Sequence, residues 1–103
     1  MTWNLTGGGS TLSLTYADLV TGATGVESLL DFTPAVGSSA DITVDFQKFV
    51  AALSMNVDEL AIPVAVGDPP TRKNVVVRVG DVIRMRKSGG TATVSWAGTV
   101  RTV

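Results

Sequence analysis

From Val82 to Trp96 apolar and polar side chains alternate with a period of two, and similar short alternating runs, rich in Val and Thr, recur along the chain. Both residues are β-branched and fit a pleated, half-buried surface better than a helix. Clusters of Gly, Pro, Ser and Asp interrupt the runs too often for long helices. With 103 residues and no internal repeat, there is material for one core. Residues 1–103 are therefore expected to form a single β domain. Its expected fold is an antiparallel β-sandwich or small barrel of about seven strands with at most one short helix, at about residues 46–54.

The alternation places the elements. Trp3 and Leu5, the Gly7-Gly8-Gly9-Ser10 break, and Leu12, Leu14 and Tyr16 read as a hairpin. Thr21–Gly25 reads as a loop, Val26–Phe32 as a short strand or helical turn, and Thr33–Ala40 as a second loop around Pro34 and Gly37. Ile42, Val44 and Phe46 have strand period, whereas Phe46, Phe49, Val50 and Leu53 have the spacing of a helix face, which is the origin of the expected helix. Val57–Val66 returns to strand, and Pro63 puts it at a sheet edge or on a bulge. Asn74–Val79 and Val82–Lys87 are expected as strands on either side of a Gly80-Asp81 turn, and Ser88-Gly89-Gly90 as the turn of a hairpin onto Thr91–Trp96. In that hairpin Ile83, Met85, Ala92, Val94 and Trp96 share a core face, while Arg84, Arg86, Thr91, Thr93 and Ser95 share the wet one. Gly98 breaks the run, and Val100–Val103 is expected as a strand with an open edge.

The chain has no His and no Cys. Histidine-based triads, cysteine nucleophiles and imidazole or thiolate metal sites are excluded, since each needs a ring nitrogen or a thiolate. Neither nucleotide-binding glycine fingerprint is present. Asp41 and Asp45 are the best carboxylate pair, but on a strand they stand about 13 Å apart, too far for glycosidase geometry. Asp18, Thr21, Thr24 and Glu27 flank a glycine loop with oxygens suited to calcium, without the rhythm of an EF-hand. No catalytic, cofactor-binding or metal-binding residue is expected.

The net charge of −1 conceals a division. Residues 1–60 sum to −6 and residues 61–103 to +5. Either the halves neutralise one another inside the chain, or opposed poles pair between copies, with Asp41, Asp45, Arg78, Arg84 and Arg86 as the candidate self-association residues. The basic strip lacks the interleaved rings of a single-strand binder, so no nucleic-acid partner is expected. The longest apolar run, Leu60–Val66, is far short of a membrane span, and the N-terminus has neither the basic nor the apolar region of a signal peptide. Trp3, Tyr16 and Trp96 offer an alternative, a carbohydrate-binding β-sandwich, although each has the parity of a core residue.

The segments Thr2–Gly9 and Gly90–Val100 share a Thr/Gly/Val/Ala texture that resembles small β-rich bacteriophage virion proteins of the capsid-decoration or head-completion type. The resemblance implies a non-enzymatic structural protein that forms a homo-oligomer and docks on other virion proteins, located in the virion or in the host cytoplasm during assembly. Val79–Ile83 also looks like a turn of small barrels such as biotinyl domains. A biotinyl lysine would lie between two methionines, and Lys87 does not.

Overall fold

The computed structural model describes residues 3–36, 42–64 and 72–103. They form eight strands: β1 (Trp3–Thr11), β2 (Ala17–Thr21), β3 (Val26–Val36), β4 (Ile42–Val50), β5 (Met55–Val64), β6 (Lys73–Val77), β7 (Val82–Lys87) and β8 (Ala92–Thr102). One antiparallel sheet has the order β1-β8-β3-β6 and the other β2-β7-β4-β5. This interleaving is that of a double-sheet jelly roll, a β-sandwich and not a closed barrel.

The period of two explains the core. Leu30 and Phe32 on β3, Val75 and Val77 on β6, and Ala92 and Val94 on β8 point inward from the first sheet. Val44 and Phe46 on β4, Ile62 on β5, and Ile83 and Met85 on β7 meet them from the second. Phe32 and Phe46 touch edge to face across the interface at 6.1 Å, and Trp96 extends the cluster at 5.5 Å from Phe32.

Consecutive strands lie in opposite sheets everywhere but at β4 and β5, so neither expected hairpin forms. β7 and β8 keep the expected parity, with Ile83, Met85, Ala92 and Val94 all buried, but they face one another across the core instead of pairing side by side. β1 runs straight through its three glycines along β8, and residues 12–16 carry the chain to the other sheet. The middle glycine answers to a distant side chain: a Cβ on Gly8 would stand 2.7 Å from Cζ2 of Trp96, its register partner. Gly98 does not break β8 either, because it lies beneath the β3 backbone, where a Cβ would come 1.9 Å from the Leu29 carbonyl oxygen. β8 is an interior strand, so its end offers no open edge.

The helix expected at 46–54 is absent. β4 continues as strand to Val50, and residues 51–54 form the turn into β5, with Ser54 at φ 52°. Strand wins because Phe46, Lys48 and Phe49 each have a partner on both sides, in β5 and in β7. A helix would forfeit both ladders. β3 passes through Pro34, beyond the last β6 pair at Phe32 and Lys73. Pro63 lies on an edge strand, as its lack of an N–H requires, and the bulge of that strand lies elsewhere, between Val57 and Leu60. The Thr43 amide and carbonyl opposite it are both bonded to Ser88.

Three turns meet at one end of the sandwich around the buried Asp81. Its Oδ1 accepts the Ala51 amide and its Oδ2 the Arg78 amide, each at 3.0 Å, while Lys48 Nζ lies 3.9 Å from Oδ2. The Asp81 carbonyl accepts the Gly22 amide, and the Gly22 carbonyl accepts that of Gly80.

Candidate functional site

Register and parity build the outer face of the second sheet. Asp45 on β4 is opposite Arg86 on β7, and Arg84 is flanked by Asp18 on β2 and Gln47 on β4. Arg86 Nε donates to Asp45 at 2.8 Å, Arg84 Nε to Asp18 at 2.6 Å, and Gln47 to Glu59 at 2.9 Å. The Arg86 guanidinium lies 4.4 Å over the Tyr16 ring, and that of Arg84 5.7 Å from the Phe49 ring. Hydrogen bonding to Asp45 raises the Arg86 pKa. The Tyr16 phenol is also pushed up, first by burial and then by Asp45 and Glu59, with Arg86 opposing.

Of the expected self-association residues, this face brings together Asp45, Arg84 and Arg86. Arg78 stands elsewhere, 3.5 Å from Glu27, which also pairs with Arg101 at 3.2 Å. Asp41 lies outside the described residues. Lys48–Asp81, Lys73–Asp58, Arg78–Glu27, Arg84–Asp18, Arg86–Asp45 and Arg101–Glu27 each join one residue from 1–60 to one from 61–103. The two poles thus meet inside the chain. Asp18, Tyr16, Gln47, Glu59 and Phe49 were not foreseen on this face, because the partnership of β2, β4 and β7 has no local signal.

The oxygens considered for calcium are not gathered. Asp18 and Glu27 lie in different sheets, each turned to an arginine, and no group of three acids that could hold a metal exists among the described residues. Tyr16 and Trp96 do not form a sugar platform: Tyr16 is capped by Arg86, and Trp96 is half-buried between Phe32 and Gly8. The Trp3 side chain lies outside the described residues. In the first sheet, Asp31, Thr33, Arg72, Ser95, Trp96 and Ala97 line an open groove of about 220 Å³, below the usual size of a small-molecule pocket. No helix among the described residues is long and apolar enough to cross a membrane.

What the sandwich leaves open is backbone at four strand edges: β1 and β6 in one sheet, β2 and β5 in the other. Three are blunted. β2 has five residues and a register shift after Asp18. β5 carries Pro63 and a bulge where Asp58 takes φ 56°. β6 has five residues and begins at Lys73, which is paired to Asp58. β1 is different. It spans nine residues without a charge, a proline or a register shift, and its Leu5 side chain is 90% exposed.

No protein-family model matches the chain, and no curated protein matches it. Among solved structures, a chain of the Bacillus endospore appendages, described as a novel family of disulfide-linked pili, is similar in fold. It has a TM-score of 0.64 at 14% identity, covering 99% of this chain and 87% of that one.

Proposed function

We propose that this protein is a non-enzymatic structural subunit that works by associating with copies of itself. The observation that carries the reading is the β1 edge, a nine-residue strand with open backbone donors and acceptors and without the devices that keep sheet edges apart. Fold likeness to a pilus-forming chain supports it. With no cysteine in this chain, its own copies are held by contact and hydrogen bonds, in contrast to disulfide-linked pili. The internal pairing of Asp45, Arg84 and Arg86 makes the outer face of the second sheet a stabilised surface, and association passes to the backbone edge.

Light scattering over a range of protein and salt concentrations tests this. Backbone pairing gives an oligomer that persists at high salt, whereas pole-to-pole contacts dissociate as the charges are screened. A monomer under all conditions overturns the proposal. The finer setting we propose is a bacteriophage virion, on the Thr/Gly/Val/Ala texture of residues 2–9 and 90–100. Capsid, portal or tail genes beside the coding sequence are the observation that tests it.

A further inference from the structure

The β1 edge has a pattern that specifies how it is met. Leu12, the residue after the strand, donates its amide to the Ala92 carbonyl, which makes Leu12 and Ala92 a hydrogen-bonded pair. In an antiparallel ladder such pairs alternate. The even residues of β1 therefore spend their backbone groups on β8, while Trp3, Leu5, Gly7, Gly9 and Thr11 aim theirs at the open side. The Trp96 indole lies on the face of Gly8, so the odd residues also present their side-chain positions on the outer face of the sheet.

We propose that the occupant of this edge is the β1 strand of a second copy, paired antiparallel about a two-fold axis at Gly7. This inference rests on the self-association reading and gives it a geometry. Among two-fold registers, the one centred on Gly7 sets all five open residues against five open residues. Every shift by two leaves at least one unpaired. It also places Leu5 opposite Gly9 of the partner, so the most exposed large apolar side chain among the described residues lies over a position without a Cβ. A neutral strand meets a neutral strand, with no like charges opposed. The two first sheets become one eight-stranded sheet, closed by symmetry.

A cysteine-free chain makes the test direct. In this register Asn4 faces Ser10 of the partner in a non-hydrogen-bonded pair, with Cα atoms about 4.5 Å apart, within disulfide reach. Within one strand the same two residues are about 20 Å apart and cannot bridge. The N4C/S10C double variant is expected to give a covalent dimer on mild oxidation, and the N4C/T6C variant, whose bridges need the strand slid by two residues (position 6 to position 6) or by four (position 4 to position 6), is expected to remain uncrosslinked. Leu5→Pro removes an amide that β8 does not use. It is expected to weaken association at least tenfold in sedimentation equilibrium while leaving the far-ultraviolet circular dichroism unchanged. An oligomer in which N4C/S10C fails to crosslink overturns this pairing and leaves self-association standing; a monomeric wild-type chain overturns both. If Leu5→Pro misfolds, the crosslinking pattern alone decides.

Discussion

The indole of Trp96 occupies the place a Cβ on Gly8 would need, at 2.7 Å from Cζ2 and 2.8 Å from Cε2. The edge strand is bound to the body of the protein through this contact as well as through its ladder. Trp96 in turn rests on Phe32, at the centre of the sandwich.

Gly8→Ala is therefore expected to displace the indole and destabilise the fold by about 1–3 kcal/mol, the usual cost of overpacking. A lowered melting temperature with an altered near-ultraviolet circular dichroism signal from the indole checks this.

Gly98→Ala meets backbone in place of a side chain, since its Cβ would lie 1.9 Å from the Leu29 carbonyl oxygen in the middle of the first sheet. Because a carbonyl in a central ladder cannot swing aside, the variant is expected to lose more stability than Gly8→Ala, about 3 kcal/mol or more. Chemical denaturation of the two variants side by side tests the order.

Asp81→Ala strips acceptors from the Ala51 and Arg78 amides at once and removes the partner of Lys48. The expected loss is about 1–3 kcal/mol for each donor left buried and unpaired. Hydrogen exchange should show Ala51 and Arg78 deprotected first.

Tyr16 sets an alkaline limit. Its phenol has a folded-state pKa above the ordinary value of 10.0, chiefly because burial disfavours the phenolate. The unfolded chain then gives up this proton at a lower pH than the folded one. The contribution is complete below about pH 10 and is lost as pH rises through the folded value. Denaturation midpoints are expected to fall above about pH 10, with a shallower fall in Tyr16→Phe.

Much of the architecture was legible because parity is local. The burial of Ile83, Met85, Ala92 and Val94 follows from alternation alone, and of the edge or bulge that Pro63 called for, the edge is what it occupies. Sheet membership is not local. Nothing near Ser88 tells whether the chain turns back beside β7 or crosses to the facing sheet, and the hairpin reading failed for that reason. Ile42, Val44 and Phe46 have strand period and Phe46, Phe49, Val50 and Leu53 helix period, and the choice where they overlap belongs to β5 and β7, which lie outside the segment. In the candidate site, the paired arginines of β7 were visible as a strip, but their carboxylate partners come from β2 and β4. The glycine run hid the edge, since the reason for its middle glycine lies in Trp96, near the other terminus.

The two sheets are threaded so that only β4 and β5 are neighbours both along the chain and in space. Every other ladder must join segments that are far apart in sequence, and each such closure is entropically costly before any pairing rewards it. Refolding should accordingly be slow, in the range of milliseconds to seconds, with that hairpin able to form ahead of the rest. The same threading means that, β5 apart, no strand can peel away without opening a ladder between segments far apart along the chain.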